Sequence, residues 1–398
     1  MSKLKELIDK FCPNGVKFQK LDDILDYEQP TQYIVKSTEY DDSYNTPVLT
    51  AGQTFILGYT NEEDGIYKAD KDSPTIIFDD FTTSFHWVDF DFKVKSSAMK
   101  MLRPKSTFEG SFKYIFYAME CIHFEAVNHT RHWISKYSQF EIPLPHPEVQ
   151  EEIVKILDRF AELQAELQAE LQARQEQYEY YRNKLLTFNE IRGGIQGVIW
   201  MKMSEIGTFI RGKRFVRTDI VNDGVPCIHY GDMYTYYGLY ATESKGMLRN
   251  ELAPKMRYAQ KNDVVIVAAG ENKEDIGIGM AWLGDEPAAV HDACFIFRSD
   301  LYPQYVSHYL RTNYYHKQIV KHVSEGKICS ISAKGLGNAI IPIPSYEEQV
   351  RIATLLNKFD ELVSDLVQGL PAEIAAVKEQ YEYYRNKLLS FPEYKLSA

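Results

Sequence analysis

A twelve-residue segment that occurs twice most constrains how this chain can fold. Residues 177–188 read Gln-Tyr-Glu-Tyr-Tyr-Arg-Asn-Lys-Leu-Leu-Thr-Phe, and residues 380–391 repeat them with Ser390 as the one change. The similarity extends upstream, where the Ile-Pro-Leu-Pro of residues 142–145 corresponds to the Ile-Pro-Ile-Pro of residues 341–344. An internal repeat has to be recognised before any other pattern, because it fixes the plan of the whole chain.

The repeat predicts four domains in an A-B-A′-B′ order. Residues 1–145 form a first diverged region that includes a short N-terminal helix, and residues 191–344 form a second. Each diverged region is followed by a helical region, residues 146–190 and residues 345–398. A chain of 398 residues is long enough for each diverged region to bury its own core.

Each diverged region has the sequence pattern of a strand-rich α/β (α+β) domain. Apolar, β-branched runs predict buried strands at residues 75–78 and 264–267, and each run leads into a polar loop. Further elements are expected at corresponding places, as strands at residues 92–102 and 289–297 and as helices at residues 112–124 and 302–323.

The helical regions each predict one long helix with a single apolar stripe. Apolar residues recur there in steps of three and four, which favours pairing of the two helices as an antiparallel coiled coil about 60 Å long. Such pairing would give the chain an internal pseudo-two-fold axis. Residues 161–172 contain Ala-Glu-Leu-Gln three times, whereas Gly369-Leu370-Pro371 is expected to break or kink the second helix.

Composition limits the compartment and the partners. The net charge of −11 argues against a general electrostatic coat for nucleic acid, although a local basic groove is compatible with it. The five cysteines are scattered, which favours a reducing compartment without disulfides. No apolar run approaches the roughly 20 residues of a membrane span, so we expect a cytoplasmic protein with no membrane partner.

Motifs for catalysis are weak in this sequence. It contains neither a phosphate-binding Walker motif nor a complete dinucleotide fingerprint. The methyltransferase Pro-Pro-aromatic motif requires two adjacent prolines, and the sequence has none. Asp263 with Glu271-Asn272-Lys273 loosely matches a nuclease metal site, but the pattern is degenerate and a strand end beside a solvated turn is the favoured explanation. Spacing typical of zinc is absent from the remaining candidate ligands, which are Cys121, His123, His129 and His132.

Polar loops at corresponding positions of the two diverged regions are the best candidates for contacts with DNA. Their hydroxyl, amide, imidazole and carboxylate groups suit base edges, and the basic turn at residues 211–214 suits phosphate. An ordinary surface loop is the alternative for any one of them. The candidates are Thr50, Gln53, Thr82, Thr83, Ser84, His86, Arg211, Lys213, Arg214, His229, Asp232, Asn272 and Lys273.

The repeated segment itself predicts two equivalent binding surfaces. Helix packing alone tolerates exchange of apolar residues, so polar identity in both copies indicates that each copy binds one copy of the same partner. A recent duplication is the alternative, but the diverged regions have changed strongly. The candidate partner-binding residues are Tyr178, Tyr181, Arg182, Lys184, Tyr381, Tyr384, Arg385 and Lys387.

The whole chain resembles the specificity subunit of a type I restriction–modification enzyme. The resemblance lies in two variable regions that begin with Gly-Val, close with Ile-Pro-(Leu/Ile)-Pro and are each followed by a helix ending in Tyr-Tyr-Arg-Asn-Lys-Leu-Leu. It implies two target-recognition domains that read the halves of an interrupted site in double-stranded DNA, with the helices as spacer and docking site. It further implies two methyltransferase subunits that carry S-adenosylmethionine, restriction subunits that use ATP and Mg, and no cofactor on this chain. A DNA-modifying enzyme or a coiled-coil scaffold without DNA binding are the competing hypotheses.

Overall fold

The computed structural model describes residues 2–52, 54–125, 130–188, 198–365 and 368–394, and it divides into two compact units. Unit 1 comprises Met1–Glu166 with Ala375–Ala398, and unit 2 comprises Leu167–Ile374. Each unit therefore combines one diverged region with parts of both helical regions. The repeated segment at 177–188 belongs to unit 2, and the copy at 380–391 belongs to unit 1.

Unit 1 is a mixed helix and strand domain. Its elements are α1 (Ser2–Phe11), β1 (Lys17–Lys20), α2 (Leu21–Ile24), β2 (Leu25–Glu28), β3 (Thr46–Leu49), β4 (Ile56–Thr60), β5 (Thr75–Asp79), β6 (Phe85–Val88), β7 (Lys93–Val94), β8 (Met99–Pro104), α3 (Phe112–Met119), β9 (Glu141–Leu144) and the first part of α4 (Pro147–Thr187). The strands form a pair β1-β9, an antiparallel sheet β2-β8-β5-β6 and a sheet β4-β3-β7. In the last sheet β3 and β7 run parallel.

Unit 2 has a similar composition of elements with larger sheets. After the end of α4 its elements are β10 (Ile199–Lys202), α5 (Met203–Ile206), β11 (Gly207–Arg211), β12 (Ile220–Val221), β13 (Val225–Ile228), α6 (Asp232–Thr235), β14 (Tyr240–Ala241), β15 (Gly246–Leu248), β16 (Tyr258–Ala259), β17 (Val264–Val267), β18 (Ala269–Gly270), β19 (Gly279–Trp282), β20 (Ala288–Val290), β21 (Cys294–Ser299), α7 (Pro303–Tyr309), α8 (Asn313–Ile319), β22 (Cys329–Ser330), α9 (Ala333–Gly337), β23 (Ile340–Ile343), α10 (Tyr346–Ser364) and the start of α11 (Leu370–Leu388). Two five-stranded sheets, β11-β21-β17-β19-β14 and β12-β15-β13-β20-β16, dominate the unit, and β13 and β20 run parallel.

The two predicted buried strands are confirmed, as β5 and β17. Every residue of β17 is buried, and so are the first four of β5, because each strand is covered on both faces by its unit's core. Continuous apolar, β-branched runs are typical of strands in that environment.

The two longer strands predicted downstream are wrong as single elements. Residues 92–102 divide into β7 and β8, and residues 289–297 divide into β20 and β21, with the two strands of each pair in different sheets. The chain changes sheets where Lys95 donates its N–H to Leu49 and where His291 donates its N–H to Ile228. Each change of sheet places a polar side chain beside the end of a neighbouring parallel strand.

The predicted helices downstream are shorter than expected. The first ends at Met119 rather than at residue 124. The second is divided into α7 and α8, because the Thr312 side chain accepts the Tyr315 N–H and so caps a new helix.

The helical regions differ from each other. The first is the single long helix that its periodicity predicts, α4, with 41 residues. The second is not one long helix but two helices of 19 residues each, α10 and α11. The predicted break is confirmed: α10 ends at Ser364, and Pro371 lies in the first turn of α11, where the missing N–H of proline costs no hydrogen bond.

Contacts within the two units repeat with nearly the same distances between ring centroids. In unit 1 the ring centroid of Phe160 lies 6.3 Å from Tyr381 and 5.6 Å from Tyr384. In unit 2 the ring centroid of Phe359 lies 6.4 Å from Tyr178 and 5.7 Å from Tyr181. Each repeated segment therefore packs on the start of the other helical region.

The junction between each diverged region and its helix is also repeated. Gln150 donates to the Pro145 carbonyl at 2.8 Å and accepts the Ser111 N–H at 2.9 Å. Gln349 makes the equivalent bonds to the Pro344 carbonyl at 2.9 Å and from the Tyr302 N–H at 3.0 Å. These buried side chains fix the angle at which each helix leaves its sheet.

None of the helices in the described ranges combines the length and the hydropathy needed to traverse a lipid bilayer.

A buried histidine of α7 joins the repeated segment at 177–188 to α10 within unit 2. The His308 Nδ1 lies 3.3 Å from the Tyr178 hydroxyl, and its Nε2 lies 2.8 Å from the Asn357 Oδ1. Burial lowers the pKa of His308 to about 3, and the nearby Arg182 and Arg311 act in the same direction. The ring is therefore neutral, with its proton on the nitrogen that faces Asn357.

We expect His308 to make unit 2 sensitive to acid. The unfolded chain titrates near pH 6.5, so below that pH the unfolded state binds more protons than the folded state. The contribution of neutral His308 to the free energy of unfolding is therefore complete above about pH 6.5 and is lost as the pH falls towards 3. By pH 5 the free energy of unfolding is lower by about 2 kcal/mol. Chemical denaturation at pH 7 and pH 5 should show a smaller decrease for His308→Gln than for the native chain. Equal decreases would contradict the prediction.

Candidate nucleic-acid interface

Both units place polar side chains at the carboxyl ends of two neighbouring parallel strands. In unit 1, Thr50 follows β3 and Lys95 follows β7. In unit 2, His229 follows β13 and His291 follows β20, with Ile228 and Val290 in register. Because parallel strands end at the same edge of a sheet, each pair emerges at one place, which is where α/β sheets commonly bind ligands.

In unit 1 the structure brings two of the predicted residues, Thr50 and His86, close together. The Thr50 hydroxyl donates to the Thr54 carbonyl at 2.7 Å and holds the turn after β3. The His86 Nε2 donates to the Gly52 carbonyl at 3.1 Å, and its ring lies 4.7 Å from that of Phe55. The turn and strand β6 thus form one surface. The predicted contact Gln53 lies outside the described residues.

The hairpin between β5 and β6 carries the predicted hydroxyl cluster. One oxygen of Asp79 accepts the N–H groups of Phe81 and Thr82, both at 2.9 Å. The hydroxyls of Thr82 and Ser84 are 2.7 Å apart, and Thr83 has a φ of 61°. A left-handed threonine is uncommon, and it gives the hairpin tip a defined shape.

The basic turn of unit 2 lies against the strand end that carries His291. A Cβ on Gly212 would stand 2.2 Å from the His291 carbonyl and 2.3 Å from the Val290 carbonyl, so only glycine allows this approach. The turn is held by Lys213, whose N–H bonds the Val290 carbonyl at 2.9 Å, and by Arg211, whose Nε bonds the Asp292 carbonyl at 3.0 Å. Of the three cationic side chains of this turn, Arg214 lines the cleft beside His229 and His291.

A cleft of about 790 Å³ opens beside His229 and His291, the histidine pair of unit 2. The rings of His229 and His291 lie 4.7 Å apart, and Phe215 and Tyr230 pack around them. The charged residues that line the cleft are Arg214, Arg217, Glu271, Asp292 and Lys327. Imidazole and guanidinium groups in one concave site suit the base edges and phosphates of a duplex.

Both histidines of the cleft are held neutral. Burial lowers the pKa of His229, and His291 and Arg217 lower it further. Burial also lowers the pKa of His291, with a partial offset from Asp292. The Nδ1 of His229 accepts the Gly231 N–H at 3.2 Å, and the Nδ1 of His291 accepts the Ala293 N–H at 3.1 Å. In each neutral ring the proton is therefore on Nε2.

Three further predicted contacts of unit 2 also make ion pairs or hydrogen bonds within the chain. Asp232 is buried and pairs with Lys245 at 3.0 Å. Asn272 donates to Asp275 at 3.0 Å, and Lys273 pairs with Glu325, which raises the pKa of that lysine. The structure does not place these three residues on the walls of the cleft.

The candidate metal sites find no support among the described residues. Asp263 forms a bidentate ion pair with Arg298, at 2.9 and 2.7 Å, so its carboxylate is already neutralised. Within the described ranges no three His, Cys, Asp or Glu side chains are grouped as metal ligands, and His129 lies outside those ranges.

Four residues of these sites were not singled out from the sequence. Lys95 and His291 give no separate signal, because each lies inside a segment that the sequence predicts as one long strand. The His-Tyr-Gly after β13 and the His-Asp-Ala after β20 are the signal that could have revealed His291. Arg217 and Lys327 reach the cleft only through the fold.

The repeated segments divide into a packed face and an exposed face. Tyr178 is buried, and Arg182 stacks on its ring at 4.9 Å; in unit 1, Arg385 stacks on Tyr381 at 5.3 Å. Tyr181 and Tyr384 contact the phenylalanines described above. The exposed face carries Tyr180 and Tyr383, 57% and 58% exposed, each accepting a hydrogen bond from the lysine four residues later, Lys184 or Lys387.

The packed faces meet different side chains in the two units. In unit 1, Glu120 accepts the Tyr381 hydroxyl at 2.6 Å and pairs with Arg385 at 3.1 Å. Tyr114 and Tyr305 are equivalent, because their hydroxyls donate to the corresponding carbonyls of Pro143 and Pro342, at 2.9 and 2.8 Å. Glu120 and Arg311 each lie six residues after these tyrosines, so Arg311 is the equivalent of Glu120 in unit 2. Asp360 provides the nearby negative charge in unit 2.

Comparison with known proteins gives a consistent result over nearly the whole chain. The profile of the type I restriction modification DNA specificity domain matches residues 13–176 and again residues 198–376. The chain is 39% identical to the type I restriction enzyme EcoR124I/EcoR124II specificity subunit of Escherichia coli, over 99% of this chain and 98% of that protein. It is 29% identical to a putative type I specificity subunit of Haemophilus influenzae, over 94% and 96% of the two chains.

Solved structures support the fold. A type I restriction–modification S subunit from M. genitalium aligns with a TM-score of 0.56 at 14% identity, over 96% of this chain and 97% of that one. A chain from a structural study of assembly of the type I R-M system aligns with a TM-score of 0.59 at 16% identity, over 95% and 98%. The matched profile and the identity to a full-length relative show that this chain belongs to the type I restriction–modification DNA specificity family, whose members are non-catalytic subunits that recognise a DNA sequence.

Proposed function

We propose that unit 1 reads one half of an interrupted DNA site and that unit 2 reads the other half. The observation that carries the proposal is the pair of equivalent strand ends with different side chains, Thr50 with Lys95 in unit 1 and His229 with His291 in unit 2. Equivalent positions with different donors and acceptors would read different sequences, so the site would be asymmetric. Residues 1–145 and 191–344 would be the two recognition domains.

The helical regions would set the gap between the half-sites. Residues 146–190 and 345–398 would pair antiparallel, and the reciprocal contacts of Phe160 and Phe359 support that arrangement. Two-fold related readers on DNA contact half-sites spaced by about one helical turn or a multiple of it.

The exposed faces of the repeated segments would each bind one methyltransferase subunit. Those subunits would hold S-adenosylmethionine, restriction subunits would hold ATP and Mg, and the complex would act on double-stranded DNA in the cytoplasm. Sequencing of methylated bases in cells that carry the complex tests the proposal. A bipartite asymmetric motif is expected, and methylation without a defined motif would refute it.

We expect Tyr180→Ala to remove one methyltransferase subunit from the purified complex and Tyr180→Ala with Tyr383→Ala to remove both. Tyrosine is enriched among interface hot spots, where truncation to alanine costs about 2 kcal/mol or more and so lowers affinity more than ten-fold. The measurement is the mass of the complex at fixed concentration. Tyr346→Ala is a matched control, since Tyr346 is also 57% exposed and lies on α10 outside the repeated segments. Two bound subunits in the double variant would contradict the proposal.

A further inference from the structure

The cleft of unit 2 contains two arginines whose side chains have no partner among the described residues. Other arginines of the unit are engaged: Arg249 pairs with Asp219, Arg298 pairs with Asp263, and Arg257 donates to the Arg211 carbonyl. For Arg214 and Arg217, in contrast, the described part of the chain supplies neither an ion pair nor a hydrogen bond to the guanidinium group. Both line the cleft and are exposed, so their donors are available to a ligand.

The fold leaves space for Arg217 at the histidine pair. A Cβ on Gly231 would stand 2.9 Å from the Arg217 Nη2, so this guanidinium occupies the place that a side chain at residue 231 would take. The Gly231 N–H bonds His229, so the same glycine orients the imidazole and leaves room for the guanidinium. Arg217 therefore lies beside the strand end from which His229 emerges.

The lining of the cleft favours hydrogen-bond acceptors on the ligand. Arg214, Arg217 and Lys327 only donate, and neutral His229 presents its Nε2 proton. No asparagine or glutamine lines the cleft within the described residues, and the adjacent Asn272 is bonded to Asp275. Adenine is usually read by those amides, whereas guanine offers O6 and N7 to an arginine fork. Glu271 supplies an acceptor of the kind that pairs with the cytosine amino group.

We infer that Arg217 reads a guanine of a G·C pair in the half-site of unit 2, with Glu271 on the cytosine of that pair. The inference rests on the proposed function and adds the identity of a base. A backbone phosphate offers acceptors too, and an arginine fork can bond either group. Only the guanine contact depends on N7, so removal of that atom distinguishes a base from a phosphate.

The test uses the complex of this chain with its methyltransferase subunits and duplexes that carry the methylated motif. Each guanine in the half-site of unit 2 is replaced in turn by 7-deazaguanine, which lacks N7, and affinity is measured at one salt concentration. At one guanine the native complex should lose roughly ten-fold or more in affinity. The Arg217→Ala complex, which has no donor at this position, should bind the native duplex more weakly and should be indifferent to that replacement.

Replacement of guanines in the half-site of unit 1 provides the internal control. Any loss caused there should be the same for the native and Arg217→Ala complexes, and the circular-dichroism spectra of the two chains check that the variant is folded. A unit 2 half-site without a G·C pair would overturn the inference. So would replacements in that half-site that affect the native and Arg217→Ala complexes equally, which is the result expected if Arg217 binds phosphate. In either case a bipartite motif would still support the proposed function. Absence of any motif would instead refute the proposed function.

Discussion

Replacement of Arg385 by glutamate is expected to destabilise unit 1 by roughly 3 kcal/mol, because it leaves two carboxylates facing each other in a largely buried site. The side chains of Arg385 and Glu120 are only 15% and 26% exposed, and the Tyr381 hydroxyl shares the same carboxylate oxygen. Chemical denaturation of the purified chain would measure the effect. Glu120→Arg combined with Arg385→Glu should recover a large part of the loss, as expected for a direct pair.

Lys378→Glu is the matched control for this experiment. Lys378 is exposed on the same helix, and the same reversal of charge there should change the unfolding free energy by less than about 0.5 kcal/mol. If Arg385→Glu were as mild as the control, Arg385 would not hold the repeated segment on unit 1.

A fourth copy of Ala-Glu-Leu-Gln within Ala161–Gln172 is expected to lengthen the gap between the two half-sites by one, at most two, base pairs. The insertion adds about 6 Å and rotates the following residues by roughly 40° beyond a full turn, so the packing face is nearly preserved. The division between the two units falls between Glu166 and Leu167, inside this repeat. The contacts of each unit on its own side of the insertion therefore remain.

The methylated motif of the insertion variant is the measurement for this prediction. Both half-site sequences should be unchanged, because no residue of either recognition domain is altered. Deletion of one copy should shorten the gap similarly, or abolish binding if the remaining helix overlap is too strained. A folded insertion variant with an unaltered gap would show that α4 does not set the spacing. Leu163 is 40% exposed, which leaves Leu167 and Leu171 as the packed leucines of the three copies.

The sequence predicted elements whose pattern is local and continuous. The buried runs at β5 and β17, the 41-residue helix α4 and the break before Pro371 all follow from periodicity or from proline and glycine. The strand β20 could not be separated from β21 in this way, because both are apolar and only His291-Asp292-Ala293 lies between them. Their separation depends on the parallel pairing of β20 with β13, about 60 residues earlier, which leaves no local signal.

The repeated segment shows a second limit of sequence reasoning. Identical polar residues in two copies were interpreted as two surfaces for an external partner. Arg385 and Tyr381 instead meet Glu120, and Tyr178 meets His308, so the chain itself explains part of that identity. Tyr180 and Tyr383 remain exposed, and the docking proposal therefore depends on them and on the lysines beside them.

The most direct test of the account is to exchange residues 197–344 for the corresponding region of a family member with a different known motif and to sequence the methylated bases. We predict that one half-site changes to that of the donor, while the other half-site and the gap remain those of the native complex. A motif altered in both halves, or unchanged in both, would contradict the claim that unit 1 and unit 2 read the two halves independently.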